Sequence, residues 1–133
     1  MEGLGARLCA RHATPEQVAE LKELCKEMHA IEDATARVEV NSRFHSMIAQ
    51  FSGNDRVVDY LLDFRERVNR DMYLSSFNAV RTHDCDDEHD HIVDAIERHD
   101  EVAAENAMRK HINNAFIFKR ANAELQDKNL NEV

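Results

Sequence analysis

Three of the eight histidines in the sequence, His45, His89 and His111, fall on the apolar faces of predicted helices. His89 comes three, four and seven residues before a set of apolar neighbours, which are Ile92, Val93 and Ile96. Residues at these intervals share one side of a helix, whereas His91 is turned about 200° from His89 because each residue advances by about 100°. We therefore expect His89, and not His91, to point into the protein core.

The same spacing places His111 and His45 on the inward faces of two other helices. His111 shares its side with apolar residues that are mostly small, which leaves room for a ligand: Ala104, Ala107, Met108, Ala115 and Phe118. His45 stands with Ile48 and Ala49, and Asn41 lies one turn before it on the same side of the helix. Asn41 and His45 are therefore predicted to be neighbours.

A bound metal ion explains three inward histidines most simply. A buried imidazole is unfavourable unless both ring nitrogens find partners. Neutral histidine is a common metal ligand, and three histidines with one oxygen ligand suit Zn, Ni, Mn or Fe with coordination positions left open. A single inward histidine is more often a core residue bonded to a carbonyl or carboxylate, so the prediction depends on all three converging. Four histidines do not share a helix face with apolar residues and are predicted to lie on the surface: His12, His29, His83 and His99.

The residues that begin and end helices divide the chain into about six helices. Thr14-Pro15-Glu16-Gln17 is a capping box with proline at the first helical position, and Ser52-Gly53-Asn54 joins a C-cap glycine to a new N-cap. Apolar residues at intervals of three and four then predict the first four helices, over Gly3 to His12, Pro15 to about Asp33, about Thr35 to Ser52, and Asp55 to about Tyr73.

The second half of the chain is predicted to hold a loop and two helices. Residues 74–82 lack a clean period and are interpreted as the loop, after which the acidic run Asp84 to Asp87 begins the fifth helix. Asp100 caps a long final helix, and we expect the polar tail after about Leu125 to fray. The predicted fold class is all-α, an antiparallel bundle of about six helices around a central cavity for metal and ligand.

Composition supports a soluble helical protein and excludes several classes of function. The 133 residues fit one domain, residues 1–133, and 3 glycines and 1 proline are too few for the corners of a sandwich or barrel. No apolar run approaches the roughly 20 residues that a membrane span requires. A formal net charge of −9 disfavours nucleic acid as a direct partner. Three cysteines without a CxxC pair or signal peptide indicate the cytoplasm.

A series of motifs resembles the FCD domain, the effector-binding C-terminal domain of FadR-subfamily regulators in the GntR family. The resemblance runs from Glu2 to about Phe118 and is carried by Asn41-Ser42-Arg43-Phe44-His45, Ser52-Gly53-Asn54, Glu88-His89, Ala95-Ile96, His99-Asp100 and Ala107-Met108-Arg109-Lys110-His111. It implies a transcriptional regulator rather than an enzyme, acting as a homodimer. It also implies a cavity in which one Asp and three His hold a divalent metal that binds a carboxylate effector. By position, the ligands are Asn41, His45, His89 and His111.

Two departures from the family pattern affect this interpretation. Asn41 stands where the family has Asp, so three neutral imidazoles and one amide are expected to leave the charge of a divalent ion uncompensated, which favours a small mono- or dicarboxylate as ligand. Arg65 on the fourth helix is a candidate for clamping the far end of such an acid. The family's winged helix is also missing from this chain, so DNA contact is expected only through a domain outside it.

Two other functions stay open at this point. The dipeptides His83-Asp84, His89-Asp90 and His99-Asp100 are similar to the paired ligands of HD-domain phosphohydrolases, which would make the protein a metal-dependent hydrolase. Alternatively, the cavity is vestigial and the chain is a dimerisation module, which predicts no metal and no stabilisation by any acid.

Overall fold

The computed structural model describes the backbone of residues 1–74 and 79–131 and the side chains of residues 1–64, 66, 67, 84–117, 120, 121 and 124. Six helices and no strand occupy these ranges: α1 Glu2–His12, α2 Pro15–Ala30, α3 Ala34–Phe51, α4 Asp55–Leu74, α5 Ala79–Glu97 and α6 Glu101–Asn131. The predicted all-α fold class is therefore confirmed. None of the helices described is long and apolar enough to cross a membrane.

The predicted starts of α2 and α6 are confirmed by their hydrogen bonds. Thr14 Oγ1 accepts from the Gln17 backbone N–H at 3.2 Å, and Gln17 Oε1 accepts from the Thr14 N–H at 3.0 Å, which completes the capping box of α2. Asp100 Oδ1 accepts from the Ala103 N–H at 3.0 Å and caps α6. Asp33, which we expected near the end of α2, instead caps α3 through the Ala36 N–H at 2.9 Å.

The sharp boundary between α3 and α4 also follows the sequence. Gly53 has φ +70°, in the left-handed region that a side chain disfavours, so glycine lets the chain turn directly after α3. Asn54 Oδ1 accepts from the backbone N–H groups of Arg56 and Val57 at 3.0 and 3.2 Å, and this side chain starts α4.

The fifth helix begins earlier than predicted, at Ala79 rather than in the acidic run from Asp84. Asp86 lies inside the helix with its side chain buried against Arg37, so its partner is a distant cation and not the helix N-terminus. Acidic residues were therefore a misleading start signal here. Residues 75–78 of the predicted loop lie outside the described residues. At the other end of the chain, α6 is continuous through Leu125 to Asn131, beyond the point where we expected order to decline.

The core is formed where α1, α2, α3, α5 and α6 pack together. α1 packs against α3, α5 and α6, while α5 packs against α2 and α6. The largest fully buried apolar side chains in this region are Leu21, Met28, Phe44, Ile48, Ile92, Ile96 and Met108. Three of these helices, α3, α5 and α6, carry the three inward histidines of the sequence analysis.

A buried ion pair fixes the relative position of α2, α3 and α5. Arg37 Nη2 lies 2.5 Å from Asp86 Oδ1, and Arg37 Nη1 donates to the carbonyl oxygens of Met28 and Ile31 at 2.5 and 3.0 Å. Asp86 precedes His89 by three residues on α5, and Arg37 lies about two turns before His45 on α3. The pair therefore holds two histidine-bearing helices in register.

Candidate metal centre

His45, His89 and His111 meet in the core of the bundle. The exposed fractions of their side chains are 1%, 1% and 3%, which confirms the inward orientation expected from helical phase. His89 Nε2 lies 3.2 Å from His111 Nε2, and His111 Nε2 lies 3.3 Å from His45 Nε2. Three imidazoles from α3, α5 and α6 thus turn the same ring nitrogen toward one point.

Carboxylates hold the opposite ring nitrogens of two of these histidines. Glu2 Oε2 lies 3.3 Å from His45 Nδ1, and Glu88 Oε1 lies 3.1 Å from His111 Nδ1. The second oxygen of Glu88 accepts from Asn114 Nδ2 at 2.9 Å, which orients the carboxylate. An ionised carboxylate only accepts, so the Nδ1 atoms act as donors, and in a neutral ring the lone pair is then on Nε2. Such carboxylate–histidine pairs commonly orient metal ligands.

The two measured nitrogen separations fit a shared cation. Ring nitrogens this close, at 3.2 and 3.3 Å, require either a shared proton or a cation between them, because two facing lone pairs repel. An ion roughly 2.0–2.1 Å from each nitrogen holds two of them about 2.9 Å apart at a right angle and about 3.4 Å apart at the tetrahedral angle. Both separations lie within this interval, so these two pairs of nitrogens fit a divalent metal.

Asn41 carries a buried oxygen that needs a partner. The residue lies one turn before His45 on α3 and is buried, and its Oδ1 atom has no hydrogen-bond partner among the described residues. Burial of an unsatisfied amide oxygen costs roughly 1–3 kcal/mol. Coordination of a cation would satisfy this oxygen, which agrees with the place of Asn41 in the expected ligand set.

Aromatic contacts fix the orientation of the histidine rings. The Phe44 ring centroid lies 4.5 Å from that of His89, and Phe44 is itself fully buried. The rings of His45 and His111 are stacked with centroids 5.2 Å apart. These contacts limit ring rotation and pre-organise the Nε2 atoms, which is the property that a metal site needs.

The sequence analysis did not identify Glu2 and Glu88. Glu88 adjoins His89, so helical phase turns it about 100° away from the inward face. Glu2 could not be predicted from local spacing, because its contact partner His45 is 43 residues away in the sequence. Their two carboxylates correct the expectation that no negative charge would lie near the ion. The uncompensated charge on an ion at this site is therefore smaller than expected, and open coordination positions become the main attraction for a ligand.

The HD-type dipeptides contribute only His89 to this cluster among the side chains that the structure describes. The side chain of Arg65 lies outside the described residues, as does that of His83. Asp90 turns away from His89 and contacts the exposed His29, whose Nε2 is 2.8 Å from Asp90 Oδ2. The His99 Nδ1 atom donates to the Ala10 carbonyl oxygen at 2.8 Å. The next residue, Asp100, caps α6. Of the described members of these pairs, His89 alone lies in the histidine cluster, while Asp90, His99 and Asp100 make contacts elsewhere.

The other described histidines are on the surface. His12, His29 and His99 are exposed, as predicted, and His91 is exposed as its phase required. A hydrogen bond with Asp90 raises the pKa of His29, and burial opposes this shift only in part.

A groove of about 360 Å³ lies beside the metal cluster, between α1, α4 and α6. Apolar residues line most of it, including Leu61, Phe64 and Phe116, and Arg109 supplies a positive charge. Glu2 lines the same groove and contacts His45. A ligand in the groove would therefore lie one side chain away from the histidine cluster.

Sequence comparisons identify similar regulators. The profile of the FCD domain matches residues 1–114. The chain is 32% identical over 115 residues to the HTH-type transcriptional repressor NanR of Escherichia coli, in an alignment that covers 80% of this chain and 42% of that protein. NanR of Edwardsiella tarda is 29% identical over 119 residues, covering 83% of this chain and 44% of the relative. The chain thus spans less than half the length of these relatives.

Two solved structures share the fold. The chain matches Streptococcus agalactiae GntR with a TM-score of 0.67 and 27% identity, covering 91% of this chain and 54% of that one. It matches Escherichia coli McbR/YncC with a TM-score of 0.78 and 16% identity, covering 90% of this chain and 62% of that one. The second match, at lower identity, supports the helical architecture alone.

Proposed function

The chain belongs to the FCD domain family of GntR-family transcriptional regulators, and from this premise we propose that it senses a small carboxylate through a divalent metal ion. His45, His89 and His111 hold the ion, with the amide oxygen of Asn41 as a fourth ligand. The observation that carries the proposal is the convergence of three Nε2 atoms, two of them with carboxylates on the opposite ring nitrogen.

The donor set suits an ion that binds a ligand reversibly. Three neutral imidazoles and one amide oxygen are acceptable to Zn, Ni, Mn or Fe, and an ion of this kind keeps positions open for an external oxygen ligand. When bound, the metal supplies a fixed positive charge for a carboxylate. The protein orients the rings, excludes bulk water from the buried cluster and neutralises part of the charge through Glu2 and Glu88.

The partial neutralisation sets the strength of effector binding. Two carboxylates lie beside the histidines, so the positive potential of a bound ion is smaller than it would be with three imidazoles and an amide alone. A lower field permits release of the effector when its concentration falls. Reversible occupancy is what a sensor requires, because a ligand that never dissociates carries no information about concentration.

Arg65 is proposed as the cation that binds the far end of a dicarboxylate. Its guanidinium group can pair bidentately with a carboxylate. Replacement by glutamine is expected to weaken dicarboxylate binding by about tenfold and to leave monocarboxylate binding unchanged. Arg67, which is exposed and pairs with Asp63 one turn earlier on α4, provides the matched control as Arg67→Gln. Equal losses in the two variants would remove Arg65 from the site.

The signal is proposed to travel through the helices that share the metal. Effector binding shifts the bundle toward whichever arrangement binds the acid more tightly. Since α3, α5 and α6 each contribute one histidine, a change in coordination alters their relative positions. In a homodimeric regulator, this change would reposition DNA-binding domains that lie outside the present chain.

Titration of small carboxylates by calorimetry, before and after chelation of the metal, tests the proposal. We expect binding in the metal-loaded protein and its loss after chelation, with recovery on reloading. Elemental analysis and mass spectrometry of the purified protein would identify the metal and any acid that copurifies. Equal affinity in the loaded and chelated states would exclude metal-mediated sensing. Absence of both metal and acid binding would favour the dimerisation module with a vestigial cavity.

A further inference from the structure

We propose that Cys85 is an additional, thiolate ligand of the same metal ion. Cys85 lies one helical turn before His89 on α5, and its Sγ atom is 3.9 Å from His89 Nε2. The sulfur, a Glu88 carboxylate oxygen and a ring nitrogen of His111 also lie within 4.8 Å of one another. The inference rests on the proposed function, because it requires a metal at the histidine cluster.

The geometry brings the sulfur within reach of the ion. Residues 85 and 89 are four apart on one continuous helix, so both side chains face the same side. With metal–sulfur and metal–nitrogen distances of about 2.3 and 2.05 Å, the two ligand atoms are roughly 3.6 Å apart at the tetrahedral angle and about 4.3 Å apart when opposed. The observed 3.9 Å between the sulfur and His89 Nε2 lies between these limits. Cys85 is not one of the three residues in the histidine group, so coordination also requires its side chain to rotate toward the nitrogens of His45 and His111.

Asn41 gives the thiolate a chemical reason to bind. The amide of Asn41 contributes an oxygen without a charge, and its Oδ1 atom is buried with no hydrogen-bond partner among the described side chains. A thiolate restores one negative charge in direct contact with the ion. Coordination breaks the S–H bond, the sulfur keeps the electron pair and donates it to the metal, and the proton leaves to solvent. No electron is transferred and no other reactant is needed.

The accessibility of the three cysteines separates Cys85 from the others. Cys9 and Cys25 are buried on α1 and α2, whereas Cys85 is only partly buried. Burial raises the pKa of Cys9 to about 12, and burial together with the charge of Asp90 raises the pKa of Cys25 to about 12. Both stay protonated and unreactive in the folded protein, so they serve as internal controls for any measurement on Cys85.

Loading the purified protein with Co²⁺ provides a direct test. A thiolate bound to Co²⁺ produces an intense sulfur-to-metal charge-transfer absorption in the near ultraviolet, which imidazole ligands do not produce. We expect this absorption in the native sequence and its loss in Cys85→Ser, with Co²⁺ content retained by the histidines. The variant Cys85→Ala provides a second test in case serine itself coordinates the ion.

Thiol reactivity gives a second readout that needs no variant. Under native conditions we expect one thiol to react readily with an aromatic disulfide reagent, and Co²⁺ to slow this reaction by at least about tenfold, because the coordinated sulfur is no longer a free nucleophile. Cys9 and Cys25 should react only after unfolding. Chelation of the metal should restore the fast reaction.

The outcomes distinguish this inference from the proposed function. If the protein binds Co²⁺ without the charge-transfer absorption and without thiol protection, Cys85 is not a ligand and the histidine site is unaffected. If the protein binds no Co²⁺ at all, and histidine variants behave like the native sequence, both the metal site and the role of Cys85 are overturned.

Discussion

His45 Nδ1 lies 3.3 Å from Glu2 Oε2, although the two residues are 43 positions apart in the chain. The contact ties the first turn of α1 to the histidine of α3 and orients the His45 ring, with Nε2 toward the other two histidines. Glu2 is therefore part of the site as a support for His45.

Removing a supporting carboxylate should weaken metal binding without unfolding the bundle. Glu88→Gln is expected to lower metal affinity by about 10–100-fold, because His111 loses the acceptor that fixes its tautomer and raises its basicity. Glu2→Gln should act in the same direction through His45. Competition with a chromophoric chelator measures the effect. Glu97→Gln on the same helix, where Glu97 forms only a half-exposed ion pair with Lys22, should leave the affinity unchanged.

Replacing any one of the three histidines should abolish tight metal binding. His89→Phe removes a direct metal ligand from α5 and is expected to lower metal affinity by more than about 100-fold. This loss is larger than the one expected for Glu88→Gln, which removes only a supporting residue. Phenylalanine fills the same apolar space beside Phe44, so the fold should persist by circular dichroism. His91→Phe, two residues away on the exposed side, is the matched control. Retention of full metal content in His89→Phe would contradict the site.

Asn41→Asp should have opposite effects on the loaded and the metal-free protein. With metal bound, the added carboxylate neutralises part of the ionic charge, and affinity should rise by about tenfold or more. Without metal, a buried charge beside a histidine cluster lacks compensation and should lower the melting temperature. Melting temperatures of the variant and the native sequence, recorded with and without metal, measure the expected stabilisation and the expected destabilisation in one experiment. A variant that is stabilised in both states, or in neither, would show that residue 41 does not contact the ion.

The Arg37–Asp86 pair should be needed to align the histidine-bearing helices. Arg37→Met leaves the buried carboxylate of Asp86 with only the exposed His29, whose Nδ1 is 3.8 Å away. We expect the change to lower the free energy of unfolding by about 3–5 kcal/mol. The double variant Arg37→Met, Asp86→Leu should recover much of this loss, because no charge is then buried alone. Chemical denaturation of the metal-free protein checks both expectations. Arg43→Met, which breaks the exposed pair with Glu27, serves as the control.

His29 should give the protein a small dependence of stability on pH. The hydrogen bond with Asp90 raises the pKa of His29 above its ordinary value, so the protonated ring favours the folded state. This stabilisation is complete below about pH 6.5, the pKa of the unfolded chain, and is lost as the pH rises through the higher folded pKa. Because the pair is exposed, the loss should be below about 1 kcal/mol. The free energies of unfolding of His29→Gln and of the native sequence, compared at several pH values, give the contribution of His29. His12→Gln is the control.

Local chemistry was sufficient to predict most helix ends and the direction of the histidines. Thr14 and Gln17 form a cap whose hydrogen bonds lie within four residues, and Gly53 adopts a backbone angle that other residues disfavour. His45, His89 and His111 were recognisable because helical phase depends only on the residues of one helix. Each of these features is decided over a span of a few residues, which the sequence displays directly.

The contacts that complete the site were decided by the tertiary structure. Glu2 meets His45, and Cys85 and Glu88 approach His111, only because α1, α3, α5 and α6 pack at particular angles and heights. Helical phase specifies the direction of a side chain around its own axis, but not which residue of another helix it will face. The early start of α5 has the same cause, since the buried pairing of Asp86 with Arg37 outweighs a local preference of acidic residues for helix N-termini.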